Sequence, residues 1–213
     1  MKKIALIFIN ISLLSPFSKA QNLEWLVKPQ YDVISPFYVG VAVVKRDNKW
    51  GYINEEGKEI MAPVDGIVYN FSENLGVVTS KDNTITALVD SKGKITTPER
   101  KVKIDSRFPQ FSDGFLLVTD GKKWGYLNTD GKLNYCEYQY AKPFSEGLAG
   151  VLKTNEGWFY INASNKVSIP CELNKEKYWV SGFNNGIAFV MYKTGLVRID
   201  KSGKIVENIT KIT

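Results

Sequence analysis

Apolar and polar residues alternate with a period of two in five stretches of this chain, and the five resemble one another. They align on an Asn or Asp: Asn54, Asp90, Asn128, Asn162 and Asp200. The residue before this anchor is always aliphatic, as Ile53, Val89, Leu127, Ile161 and Ile199. Two before it stand Tyr52, Leu88, Tyr126, Tyr160 and Arg198; four before it, Trp50, Thr86, Trp124, Trp158 and Leu196. Alternation of β-branched and aromatic residues predicts a strand, with Trp, Tyr and the anchor on one face and the aliphatic residue on the other.

Three residues after the anchor comes Gly57, Gly93, Gly131, Asn165 or Gly203. Asn or Asp opening and Gly closing predicts a type I turn, because the short side chain bonds back to the backbone and glycine accepts a positive φ. Asn165 fits the same turn, since Asn tolerates the left-handed region. A second landmark lies upstream: Phe37 with Gly40, Phe71 with Asn74, Phe111 with Gly114, Phe144 with Gly147, and Phe183 with Gly186, each leading into a short apolar run. From Phe to anchor is 17, 19, 17, 18 and 17 residues, so the two landmarks move together.

Successive turn residues lie 36, 38, 34 and 38 apart, which predicts a repeat architecture. The expected fold is all-β, five tandem β-meander repeats of roughly 37 residues, each with three or four short strands. The repeats run over about 31–63, 64–98, 101–136, 138–170 and 178–206 within an array from 31 to 213, after a lead-in or cap at 21–30 that includes Trp25 and Leu26. One unit cannot bury its own apolar face, so neighbours must cover it. An open β-solenoid and a small five-bladed propeller-like array both satisfy that requirement.

Residues 1–20 carry a different pattern. Lys2-Lys3 precedes an apolar run from Ile4 to Leu14, then Pro16 and Ser18-Lys19-Ala20. This predicts a secretory signal peptide cleaved after Ala20 and an exported protein, periplasmic, on the outer surface or secreted. The run is too short for the roughly 20 residues of a spanning helix. No Cys follows the cleavage position, so a lipoprotein is not expected. Losing Lys2, Lys3 and Lys19 with the leader takes the formal charge from +6 to +3, which removes the case for a nucleic-acid partner. No later stretch is long and apolar enough to span a membrane. In an oxidising compartment Cys136 and Cys171, at nearly equivalent places in adjacent repeats, form a candidate disulfide.

The sequence contains no His, which excludes Ser-His-Asp and Cys-His nucleophiles and the commonest zinc ligand. No phosphate loop, HExxH helix or Cys-x-x-Cys pair is present, and neither cofactor nor metal is expected. A pair of carboxylates remains available in principle for glycoside hydrolysis, for example among Glu55, Glu56, Asp105 and Asp113. Lys58, Lys94, Lys132, Lys166 and Lys204 follow each turn and predict a cationic rim, which also keeps sheet edges soluble. The sharper binding candidates are Trp50, Tyr52, Trp124, Tyr126, Trp158 and Tyr160: rings at repeat spacing either stack on sugars or pack between repeats, with Gly51 and Gly125 admitting a neighbour's bulk.

Phe144-Ser-Glu-Gly-Leu-Ala149 together with Lys49-Trp-Gly-Tyr-Ile-Asn-Glu-Glu-Gly-Lys58 resembles the WG-repeat family of bacterial proteins. The resemblance covers nearly all of the chain after residue 20, strongest in the first and third repeats and weakest in the second and fifth. It implies β-rich repeats, often in secreted or envelope-associated proteins, with no shared enzymatic activity. The expected function is therefore a non-catalytic protein-interaction or scaffold module of the bacterial envelope or exterior. The alternatives are a module binding envelope or cell-wall glycan through the repeated Trp and Tyr, and a carboxylate hydrolase.

Overall fold

The computed structural model describes residues 4–7, 25–170, 177–193 and 195–210. A two-stranded antiparallel pair, β1 (Ile4–Ile7) and β2 (Trp25–Tyr31), is followed by five four-stranded antiparallel meanders. The first sheet holds β3 (Val33–Ile34), β4 (Val41–Arg46), β5 (Lys49–Asn54) and β6 (Glu59–Val64). The second holds β7 (Ile67–Val68), β8 (Leu75–Thr79), β9 (Ile85–Asp90) and β10 (Ile95–Thr96). The third holds β11 (Lys103–Ile104), β12 (Phe115–Thr119), β13 (Trp124–Asn128) and β14 (Leu133–Tyr138). β15 (Tyr140–Ala141), β16 (Leu148–Lys153), β17 (Gly157–Asn162) and β18 (Val167–Ile169) make the fourth. β19 (Lys177–Val180), β20 (Ile187–Tyr192), β21 (Gly195–Asp200) and β22 (Ile205–Asn208) make the fifth.

Each of the first four sheets buries both faces, and the period of two divides its residues between two cores. In the first sheet Val43 and Tyr52 face the second sheet, meeting Phe71, Val78 and Val89. Their neighbours Ala42, Val44 and Ile53 face the other way, onto Tyr31 at the end of β2. The pattern then repeats: Leu127 packs back onto the second sheet while Tyr126 packs forward onto the fourth. Ile161 and Tyr160 divide in the same way. The array is open: among the described residues no strand pairing or buried cluster joins the fifth sheet to the first. The fifth sheet accordingly carries Arg198 where the first, third and fourth carry Tyr, and Phe189 beside it is 41% exposed.

The anchors form the turns that their spacing predicts. In all five the N–H of the fourth residue (Gly57, Gly93, Gly131, Asn165, Gly203) donates to the anchor carbonyl at 2.9–3.0 Å, and all five have positive φ. The anchor side chain also accepts the backbone N–H of the lysine that follows, for example Lys132 to Asn128 Oδ1 at 2.9 Å. From the second sheet onward the turn residue has a second duty, since each presses on the return strand of the sheet before it. A Cβ on Gly93 would lie 2.8 Å from the Ile60 carbonyl, and one on Gly203 2.7 Å from Ile169 Cγ2. Asn165 is seated differently: its side-chain oxygen accepts the Tyr138 hydroxyl and its amide donates to Glu137 at 3.2 Å.

The Phe landmark is a two-residue hairpin between the first and second strands of every sheet. Ser112 and Phe115 exchange both backbone hydrogen bonds across Asp113 (φ 50°) and Gly114 (φ 80°), and the other four repeats do the same. Positive φ at both central positions is the type I′ turn whose twist suits a hairpin. The glycine of Trp-Gly has a different cause from the one expected. A Cβ on Gly125 would lie 2.6 Å from Cys136 Cα and 2.8 Å from the Tyr135 carbonyl; one on Gly51 would lie 2.6 Å from the Met61 carbonyl. The bulk admitted is the bulged return strand of the same sheet, where pairing slips between Trp124 and Tyr126 and between Trp50 and Tyr52. In the fourth sheet the slip falls elsewhere, between Tyr160 and Ile161, and Phe159 takes the glycine's place in the core.

Candidate functional site

Two sets of polar bonds fasten successive sheets, each spanning three of the four boundaries. The buried Tyr hydroxyls donate to the carbonyl just after the first strand of the following sheet: Tyr52 to Tyr69 at 2.7 Å, Tyr126 to Lys142 at 2.7 Å, Tyr160 to Ser181 at 2.9 Å. Burial raises all three phenols, Tyr126 well above the ordinary range, so they stay protonated donors. The second set runs along the hairpin tips. The carboxylates of Glu73, Asp113 and Glu146 accept the N–H of Gly114, Gly147 and Gly186 in the next tip, at 2.8, 2.7 and 3.0 Å. The sequence signal was the acid in Phe-Ser-Glu/Asp-Gly/Asn, which the Phe-to-Gly spacing alone passes over. The first and last tips carry Val39 and Asn185 at that position.

These fastenings account for most of the aromatic candidates. Tyr52, Tyr126 and Tyr160 are 0% exposed and Trp158 is 5% exposed, so these four lie in inter-sheet cores and present no open face for stacking. The reason is the open stack itself, since a ring on the forward face of one sheet is covered by the next. Trp50 and Trp124 are half-buried, Trp50 with the Lys45 ammonium 5.3 Å from its ring centroid. The turn lysines Lys58, Lys94, Lys132, Lys166 and Lys204 are exposed, as a rim requires. Glu55 and Glu56 are exposed at a turn tip, while Asp113 accepts the Gly147 N–H and Asp105 is held by Arg107. Among the described residues no group of three or more His, Cys, Asp or Glu is placed to hold a metal. The sulfur of Cys136 lies 3.4 Å from the Lys123 carbonyl; Cys171 lies outside the described residues.

The third repeat breaks the pattern. Seven positions separate Ile104 from Phe111, against three between the matching strand end and Phe in every other sheet. The second repeat carries Leu88 where its neighbours have Tyr, so no hydroxyl reaches the Asp105 carbonyl; the inserted loop supplies the N–H of Phe108 instead, at 2.9 Å. The Asp105 side chain is buried, and Arg107 closes a fork on it, Nε to Oδ1 at 2.9 Å and Nη2 to Oδ2 at 2.6 Å, with the Arg107 backbone N–H to Oδ1 at 3.0 Å. Burial pushes this carboxyl up, but the Arg107 bonds outweigh it and leave it below the ordinary range.

Arg107 Nη2 also donates to the Tyr140 hydroxyl of the next sheet at 3.1 Å. The Tyr140 ring stands between Trp124 and Trp158, with centroids 5.6 and 5.8 Å away. The Lys142 ammonium lies 5.5 Å from the Tyr140 centroid and 5.1 Å from that of Trp179, which is 42% exposed. Burial and the Arg107 charge lower the Lys142 pKa, and Asp105 opposes them. The insertion thus adds Arg107 to a patch of Lys and aromatic side chains drawn from the third, fourth and fifth sheets.

Five meanders stacked through shared cores, fastened by repeated hydroxyl and carboxylate bonds, define an all-β tandem-repeat protein. The chain belongs to the WG-repeat family: the pattern described as "WG containing repeat" matches residues 21–50, 50–83, 124–156 and 158–193. That places it among non-catalytic repeat proteins that serve as structural or interaction modules. The unmatched stretch includes Thr86-Ala87, where Trp-Gly is replaced. No curated protein matches the chain. Among solved structures it is similar to the computationally designed Ika8 protein (13% identity, TM-score 0.45), over 87% of this chain and 64% of that one. It is similar also to Hsv2p of Kluyveromyces lactis (10%, TM-score 0.44; 84% and 66%). A third likeness is to PorZ, a surface component of the type-IX secretion system of Porphyromonas gingivalis (10%, TM-score 0.45; 85% and 28%). The chain thus spans less than two thirds of the Ika8 length.

Proposed function

We propose that this WG-repeat protein is exported and acts as a protein-interaction module in the bacterial envelope or outside the cell. The observation that carries the reading is the patch around Arg107. It departs from the repeat, costs the chain a four-residue insertion and a lost Tyr, and collects Arg, Trp, Tyr and Lys at one accessible place. Insertions in repeat arrays map to binding faces, and Arg, Trp and Tyr dominate the energetics of protein interfaces. Export rests on the leader pattern of residues 1–20, which includes β1; among the described residues no helix is long and apolar enough to cross a membrane.

The test is affinity capture from a detergent-solubilised envelope fraction, with insoluble cell-wall polysaccharide offered separately. Recovery of one or a few proteins supports the module; retention on polysaccharide alone moves the function to the glycan alternative, for which the half-buried Trp50 and Trp124 remain available. N-terminal sequencing of the bait checks export, with Gln21 as the expected first residue.

A further inference from the structure

Lys142 and Arg107 approach the same ring from different sides, Arg107 at the Tyr140 hydroxyl and Lys142 over its face. Among the described residues one carboxylate serves them. Asp105 is taken up by the Arg107 fork and backbone N–H, and among the described residues no carboxylate lies within ion-pair distance of Lys142. The Nη1 donors of Arg107 face no partner among the described residues, and the Arg107 side chain is 62% exposed. Among the described residues the three groups leave one positive charge uncompensated, on an ammonium that is partly withdrawn from water. An arriving oxyanion recovers both the Coulomb energy and the hydrogen bonds that Lys142 lacks.

We propose that the patch receives a carboxylate side chain from an acidic segment of a partner protein, held between Lys142 Nζ and Arg107 Nη1. This inference rests on the interaction-module reading. A side-chain carboxylate fits better than an acidic sugar, because the faces of Tyr140 and Trp179 that turn towards the site are already occupied by the Lys142 ammonium. Phe108 and Trp179, 38% and 42% exposed, offer apolar rims for residues flanking the acid. A fixed Nη1 donor on the Arg107 side, its guanidinium held in place by Asp105, and a mobile point charge on the Lys142 side suit a carboxylate arriving on a flexible stem.

The experiment is a tryptophan-fluorescence titration of the full chain at low salt, with hexaglutamate, hexaglutamine and polygalacturonate as probes. The expected result is hexaglutamate binding at least about tenfold tighter than hexaglutamine. Lys142→Gln should weaken it roughly tenfold, while Lys92→Gln, which removes one charge from a remote exposed turn, changes it less than about threefold. Arg107→Lys keeps the charge and the Asp105 pair but loses the second edge of the fork, so binding falls by an intermediate factor. Equal affinity in Lys142→Gln and wild type overturns the proposal, as does tighter binding of polygalacturonate at matched carboxylate concentration. Repeating the envelope capture with Lys142→Gln separates the two readings: a partner held equally by both chains overturns the carboxylate site and leaves the interaction module standing.

Discussion

Replacing Tyr126 by Phe tests whether the hydroxyl bonds couple the sheets. The change removes one oxygen and nothing else. That oxygen is fully buried and donates to the Lys142 carbonyl at 2.7 Å, across the boundary between the third and fourth sheets. A buried hydrogen bond of this kind is worth about 1–2 kcal/mol once the acceptor's lost partner is included. For a chain of this length each kcal/mol moves the melting point by about 2–4 °C, so the expected fall is about 2–8 °C. Circular-dichroism melts at neutral pH give the number, and amide exchange should quicken on both sides of this boundary before it does elsewhere. Tyr126→Leu, the residue that the second repeat carries as Leu88, also loses the ring packed edge-on to Phe144 at 4.7 Å and should cost about 1–2 kcal/mol more. A Phe variant melting within about 1 °C of wild type, with unchanged exchange at the boundary, refutes the coupling.

Gly125→Ala places a methyl against the Cys136 backbone and should cost about 1–3 kcal/mol through overpacking. Gly114→Ala, at positive φ in open space, should cost about 1–2 kcal/mol, and melts of the two distinguish crowding from strain. Asn165→Gly relaxes the backbone but deprives the Tyr138 hydroxyl of its acceptor, so a net loss of about 1 kcal/mol is expected; a gain in melting temperature would count against the seat described. Asp105 has a folded pKa below its unfolded value, so its contribution is complete above about pH 4 and disappears as pH falls through the folded value. Asp105→Asn should therefore be less stable than wild type at pH 7, with the gap closing in melts taken towards pH 2.

The strands and anchor turns were legible because each rests on a local rule. Alternation places Tyr126 and Leu127 on opposite faces, and Asn128 with Gly131 closes a turn whatever lies beyond it. The hairpin tips were half legible: Phe-x-x-Gly marked them, but the acid before the glycine acts on a neighbouring repeat some 40 residues along, a contact that no local pattern encodes. The same limit hid the patch. Leu88, the long interval from Ile104 to Phe111, and Lys142 are separate irregularities in the sequence. They become one feature only when consecutive sheets stack. The Trp of Trp-Gly was read correctly as packing between repeats, and its glycine incorrectly as room for a neighbouring repeat, because the register slip that crowds Gly125 lies on the return strand of its own sheet, where Tyr135 has φ 57°.

The carboxylate tips give the array a mechanical polarity. Every clasp reaches from one sheet to its successor, from Glu73, Asp113 and Glu146 in turn, and the series begins only at the second sheet and finishes at the fifth. Pulled from its carboxyl end, the chain would surrender one clasp and one shared core at a time. Successive turn residues 34–38 positions apart set the length released at each rupture, about 120–130 Å of extended chain. The Arg107 patch draws on the third, fourth and fifth sheets, so the first increments would take it apart, and a load on the carboxyl end would release a partner held there while the earlier sheets still stand.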